Sequence, residues 1–349
     1  MAGRAAKPLG TVAVRCRDPA DGDILGNFSA ATRVGNTLFL AADEAARLER
    51  FEIAGGGASG HESFQLADLL DLADPEGEAD LEGLAVEDGY LWLVGSHART
   101  RRKPEKEAGE RIDLEALADL RDTRPRCLLG RVPLVESAQG WRPVKEHGDR
   151  RAGMVRQRKK GGKLARSLRK DRLLAPFARI PAKEGGIDVE GIAVCGRRIA
   201  LGLRGPVIGG HALMLELGFE ARPSGRIKLR GKPCKRLLAL AGLGIRDLKR
   251  RGDDLLILAG PTTGLDGPCA LYLWPNWAED PPADPAMVRL RRPERLLDLP
   301  YGIGDDHPEG LALWDEAGRT VLVVNDSPSS RRRGEGGRST ACDLFALPR

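Results

Sequence analysis

Five stretches of the chain repeat one arrangement of apolar and polar positions. Residues 27–44 read NFSAATRVGNTLFLAADE, residues 80–97 read DLEGLAVEDGYLWLVGSH, and residues 188–206 read DVEGIAVCGRRIALGLRGP. Residues 244–263 (GIRDLKRRGDDLLILAGPTT) and 307–327 (HPEGLALWDEAGRTVLVVNDS) complete the set. Each has a short alternating segment, a polar turn and a second, nearly continuous apolar run. That is the period of a β-hairpin, not the 3.6-residue period of a helix.

Ser29, Glu82, Glu190, Arg246 and Glu309 share one slot of the repeat, at steps of 53, 108, 56 and 63 residues. The long step contains two charged, helix-like segments, 99–125 and 140–176. They read as insertions into one unit, whose third and fourth strands are expected at RCLLGRVPLV (126–135) and FARIPAK (177–183). Further outer strands are expected at RLERFEI (47–53), HALMLELGFE (211–220), CALYLW (269–274) and CDLFALP (342–348).

Four-stranded units recurring at this spacing predict an all-β fold, a single β-propeller over residues 1–349. The count is five blades of four antiparallel strands, with six as the variant. Blade 1 is expected at 27–72, blade 2 with its charged insertions at 80–183, blade 3 at 188–243, blade 4 at 244–299 and blade 5 at 307–348. The unassigned strand TVAVRC (11–16) supplies the strand missing from blade 5 and closes the ring, removing two open sheet edges. The competing architecture is a pair of stacked β-sandwiches.

Composition bounds the function more loosely. Of 349 residues, 41% are hydrophobic and 30% charged, which excludes wholesale disorder. Six cysteines stand far apart with no Cys-x-x-Cys pair, against a zinc ribbon or a disulfide framework. The opening MAGRAAKPLGTVAVRC lacks an apolar signal core and no later run is long enough to span a bilayer, so a bacterial-type cytoplasmic location is expected. The net charge of +6 is small for this length, and it concentrates in RRAGMVRQRKKGGKLARSLRKDR (150–172). Such a stretch can bind nucleic acid or an anionic surface, although basic helices are commonly just solvated.

A hairpin returns its second strand to the rim where its first began. One rim therefore gathers Asp43, Glu44, His97, Arg99, Arg204 and Asp326 above the slot residues. Glu82, Glu190 and Glu309 converging on one axis must share protons, gain cationic partners or bind a metal. As metal ligands they suit Ca²⁺ or another divalent cation. Arg204, Arg99, Asp43 and Glu44 would bind an anionic small molecule, with His97 and Asp326 as catalytic groups. The expected activity is metal-assisted hydrolysis of a phosphorylated or other anionic small molecule, and the rival is a non-catalytic scaffold or anion-binding module. The plain alternative for the ring is that Arg246 neutralises the glutamates. Asp305-Asp306-His307 reads as turn chemistry, and no P-loop, His-Glu-x-x-His or Gly-x-Ser-x-Gly signature is present.

The EGLA-type hairpins, with IALGLRGPVIGGHALMLEL (199–217) and LAPFARIPAKEGGIDVEGIAV (174–194), resemble the bacterial domain-of-unknown-function family number 3616 over most of the chain. That resemblance implies a propeller-like fold and no established activity. More distantly, the carboxylate-bearing hairpins are similar to calcium-dependent apyrase propellers, and the Glu-Gly-Leu/Ile element to phytase-like and esterase-like ones. Ser29 and Arg246 depart from a full acidic ring.

Overall fold

A computed structural model describes residues 5–17, 24–42, 46–101, 113–121, 124–158, 161–282 and 284–348. β1 (Gly10–Arg15) precedes β2 (Phe28–Val34), β3 (Thr37–Ala42), β4 (Arg47–Ala54), β5 (Gly57–Gln65) and the single-turn α1 (Leu66–Leu69). Then come β6 (Leu81–Glu87), β7 (Tyr90–Gly95), α2 (Leu114–Ala118) and β8 (Leu129–Ser137). Four short strands follow, β9 (Gly140–Pro143), β10 (Glu146–His147), β11 (Arg150–Arg151) and β12 (Gly153–Met154), before α3 (Lys163–Lys170). The next sheet uses β13 (Asp188–Cys195), β14 (Arg198–Ile208), β15 (His211–Ala221) and β16 (Ile227–Leu238). β17 (Gly244–Arg251), β18 (Asp254–Gly260), β19 (Cys269–Trp274), β20 (Val288–Arg291) and β21 (Glu294–Leu299) lead to β22 (His307–Leu313), β23 (Thr320–Asp326) and β24 (Ser339–Ala346).

The five aligned stretches are the antiparallel hairpins β2–β3, β6–β7, β13–β14, β17–β18 and β22–β23. Their first strands touch in a closed ring, β2 to β6, β6 to β13, β13 to β17, β17 to β22 and β22 back to β2. Outer strands continue each sheet away from that axis, so the fold is all-β and propeller-like. β1 pairs with β24 over six residues and meets β5 only at Val14↔Ala58, which links the first and last sheets. The apolar core is divided between neighbouring sheets. For example, Trp92, Val94, Ile192 and Leu201 pack between the sheets of β6–β8 and β13–β16, while Phe28, Leu40, Val14 and Val324 pack across the closure.

The insertions depart from expectation. Residues 140–154 form strands, not a helix, and β9 and β12 both pair with β8 in the place expected for 177–183. Gly140 (φ 97°) and Gly148 (φ 60°) make the reversals, a signal hidden under the charge density. Residues 177–183 instead fall in two 3₁₀ turns, Phe177–Arg179 and Ala182–Glu184. Basic residues of 150–172 are partly used within the fold: Arg150 Nη1 donates to the Gly89 carbonyl at 2.8 Å and Lys163 Nζ to that of Leu229 at 2.6 Å. α3 buries Leu164, Ala165 and Leu168. No helix among the described residues is long and apolar enough to cross a membrane.

Candidate functional site

Each of the five inner hairpins has a β-bulge at the same place. Pairing skips between Phe28 and Ala30, Leu81 and Gly83, Val189 and Gly191, Ile245 and Asp247, and Pro308 and Gly310. The skipped residues are Ser29, Glu82, Glu190, Arg246 and Glu309. A bulge re-aims its extra side chain, which accounts for the same slot carrying a polar group in all five first strands. After each of the three glutamates a glycine follows and lets the next hairpin approach. A Cβ on Gly83 would lie 3.1 Å from the Glu190 carbonyl, on Gly191 3.0 Å from the Leu248 nitrogen, and on Gly310 3.0 Å from Ala30 Cα. The Glu-Gly-Leu/Ile element is thus a bulge residue followed by a packing point.

The charges at this end form one network. Arg246 Nη1 donates to both oxygens of Glu190 at 3.0 Å, and Nη2 lies 2.7 Å from Glu309 Oε1. Arg204 Nε lies 2.9 Å from Glu190 Oε1, and Arg204 also pairs with Asp188. Arg126 pairs with Asp80 and with Glu78 at 2.5 Å. Burial pushes the Glu190 carboxyl up to about 8 against the pull of Arg204 and Arg246. Burial likewise raises Asp80 to about 6, raises Glu309, and holds Glu82 well above the carboxylate range, with Asp80 and Glu190 adding repulsion. Burial opposes the charge on Arg204 and Arg246, yet the surrounding carboxylates hold both above their ordinary values. Deeper along the axis, Lys249 Nζ donates to the two Asp247 oxygens at 2.6 and 2.7 Å and to the Leu84 carbonyl at 3.0 Å. Asp247 also accepts the Leu311 N–H at 2.8 Å, so this ion pair ties β6, β17 and β22 together.

Arg204, Arg246, Glu309 and Asp326 open onto a cavity of about 170 Å³ at the channel mouth, with Lys183, Asp266 and His307 on its wall. His307 Nε2 is 2.8 Å from Asp266 Oδ1 and its Nδ1 is 3.8 Å from Asp326 Oδ2. Asp266 is held in turn by the Gly304 N–H at 2.9 Å. Cys269 also borders the cavity, but burial pushes its thiol up to about 11, so it is no ready nucleophile.

Arg204, Asp326, Glu190 and Glu309 are therefore brought to one end of the axis, and three of the four to one cavity. His97 and Arg99 are not. They line a separate, larger cavity. His97 Nε2 sits 3.2 Å from the Leu128 carbonyl, and burial lowers its pKa to about 4. Its imidazole is neutral near pH 7 with the proton committed to that carbonyl, which removes it as the expected proton donor. Asp43 and Glu44 lie outside the described residues.

The donor set does not fit a divalent cation. Two guanidinium groups occupy Glu190 and one of them also holds Glu309, while among the described residues no group of three His, Cys, Asp or Glu side chains is placed to hold a metal ion. The charge balance is met by arginine and by raised carboxyl pKa values. Sequence reading passed over Asp80, Asp188 and Arg126 in this network, and took His307 for turn chemistry. Asp306 does serve the turn, accepting from Ser329 N and Arg332 Nε, each at 2.8 Å. For His307 the signal was its position, one strand entry before Glu309 and facing the end of β23.

Among solved structures the chain is similar to Myxococcus xanthus glutaminyl cyclase, at 11% identity and a TM-score of 0.41, covering 98% of this chain and 100% of that one. It is also similar to the aldose sugar dehydrogenase of Streptomyces coelicolor in its PQQ-bound form (13% identity, TM-score 0.39, 99% and 100% covered). A third is the Cps50 (Swd1) β-propeller domain of Myceliophteria thermophila (9% identity, TM-score 0.36, 97% and 99% covered). No curated protein matches the chain. Over residues 27–342 the sequence matches the family described as "Protein of unknown function (DUF3616)", and the chain belongs to that family.

Proposed function

We propose that the chain is a single five-bladed propeller whose channel mouth hydrolyses a compact anionic small molecule by side-chain acid–base chemistry. In this reading β1 is the outer strand of the last blade, beside β24. The observation that carries the activity is the His307–Asp266 pair opening onto the same cavity as Arg204, Arg246 and Glu309. Asp266 accepts the Nε2 proton and leaves Nδ1 as a lone pair facing the side of Asp326. That nitrogen takes a proton from water as the water oxygen bonds to the phosphorus or acyl carbon. The bond to the leaving oxygen breaks, and the carboxyl of Glu309, whose proton burial helps to hold, returns that proton to it. Lys183 and Arg204 bind the substrate's negative charge.

The test is a panel of phosphomonoesters and carboxylic esters with and without EDTA. Turnover should persist in chelator and fall at least about a hundredfold in His307→Asn, the usual range for a lost acid–base group. Activity that EDTA abolishes and Ca²⁺ restores would replace this reading with a metal-assisted one using Glu82, Glu190 and Glu309. Saturable anion binding without turnover would support the non-catalytic module, which the engagement of Glu190 by two arginines favours.

A further inference from the structure

The lip of the channel-mouth cavity is apolar. Leu265 is 76% and Ile303 81% exposed, more than any other large hydrophobic residue among those described, and Tyr301 is 42% exposed. A single exposed hydrophobic side chain needs no explanation. These three lie on two loops, 261–268 and 300–306, at the same opening, and Leu265 and Tyr301 themselves line it together with Pro261 and Pro308. Asp266 fastens the loops to one another. Its Oδ2 accepts the Gly304 N–H at 2.9 Å and its Oδ1 meets His307 Nε2 at 2.8 Å, so the neighbours of Leu265 and Ile303 are tied together and to the start of β22. The second loop is also closed on itself, by the Gly302 N–H to the Asp306 carbonyl at 3.3 Å, and Asp306 is held in turn by Ser329 and Arg332.

Size divides the site in two. At about 170 Å³ the cavity is smaller than the roughly 300 Å³ at which ordinary small-molecule pockets begin. It takes a phosphate- or carboxylate-sized head beside Lys183 and Arg204 and leaves the rest of a ligand at the lip, where it meets Leu265, Tyr301 and Ile303. A strongly polar body would lose water there with no hydrogen-bonding side chain on Leu265 or Ile303 to replace it. An alkyl or aryl body gains by covering the same surface.

We propose that the ligand of the channel mouth is an amphiphilic anion, with its charged head in the cavity and an alkyl or aryl group lying across Leu265, Tyr301 and Ile303. This rests on the reading of the mouth as an anion site and adds the class of its substrate. Calorimetry on the full chain with methylphosphonate, hexylphosphonate and hexyl glucoside tests it. The carbon–phosphorus bond is not an ester, so binding is read apart from turnover. A fully buried methylene is worth about fourfold in affinity, and on an open lip about half that free energy is expected. Hexylphosphonate should therefore bind at least about tenfold tighter than methylphosphonate, and hexyl glucoside more weakly than hexylphosphonate. In Leu265→Asn and in Ile303→Asn the hexyl-to-methyl ratio should fall to about threefold or less. Both residues are mostly exposed, so the variants should melt like the wild type and keep the result clear of misfolding. Equal affinity for the two phosphonates, a ratio unchanged in both variants, hexyl glucoside binding as tightly as hexylphosphonate, or no phosphonate binding at millimolar concentration would overturn the proposal. The two readings of the mouth fail separately. A chain-length preference without turnover of any ester sinks the hydrolase and supports the amphiphile site, whereas turnover of esters with no chain-length preference does the reverse.

Discussion

Replacing Arg246 by alanine tests the electrostatic account of the channel mouth most directly. Its side chain is 7% exposed, with no solvent to take over its role, and it is shared by Glu190 and Glu309. Removing one member of a buried, hydrogen-bonded charge network costs about 3 to 5 kcal/mol. The lower end is expected, because Glu190 keeps Arg204 at 2.9 Å and Glu309 is the group that loses its guanidinium. For 349 residues an unfolding entropy of about 2 cal/mol/K per residue converts this into a fall in Tm of about 4 to 7 °C.

The same network fixes the sign of the pH dependence. Glu190 has a folded pKa of about 8 against an ordinary 4.5, so folding favours its protonated form. Its contribution to stability is complete below about pH 4.5 and is lost as pH rises toward 8. Without Arg246 both glutamates are pushed higher still, so the gap between wild type and Arg246→Ala should widen from pH 5 to pH 8. Calorimetric melts at those two pH values decide the matter. A fall of less than 2 °C at pH 8, or an equal gap at both, would refute the view that this arginine is the counter-ion of the ring.

Three further outcomes are expected. Deleting residues 1–17 removes β1 with the buried Val12 and Val14 and bares the edge of β24, so the protein should lose several degrees of Tm and aggregate; an unchanged melt would exclude the closure. Gly191→Ala places a methyl 2.8 Å from Leu248 Cγ and 3.0 Å from its nitrogen, and urea unfolding should show a loss of about 1 to 3 kcal/mol, while Gly264→Ala, with nothing within 4 Å, should be neutral. Cys342 and Cys269, whose thiols burial raises to about 12 and about 11, should react with a thiol reagent at pH 8 only after unfolding, and rapid modification of the native protein would contradict the packing described.

The hairpins were legible because alternation of apolar residues is a local property, and the shared slot was legible because each copy carries its odd polar residue at the same offset. The bulge that explains the slot was not, since it exists only in the pairing of two strands. The Glu-Gly pair held a hint of it, but the glycine's partner is the neighbouring hairpin, between 57 and 280 residues away in the sequence. The misread segment, 140–154, shows the converse error. Its density of arginine and lysine suggested a solvated helix, whereas Arg150 is spent on the Gly89 carbonyl and Arg151 on Glu146 across a two-residue strand pair. Charge content says nothing about period when three of the four strands are only two residues long.

The site divided along the same line. Hairpin geometry correctly places Arg204 and Asp326 at one end with Glu309, because a strand that returns must finish where its partner began. By that rule His97 and Arg99, which follow β7, belong there too. They fail to join because the chain after β7 does not turn directly into the next outer strand, and Leu120, Arg121, Arg124 and Cys127 with α3 line a separate chamber with them. The acidic ring was misjudged for a related reason. Three glutamates in register suggest a cation, and an arginine in the fourth position looks like a break in the pattern. Once the bulges aim all of them inward, that arginine is the cation, and it reaches two of the three glutamates at 3.0 and 2.7 Å without any further ligand.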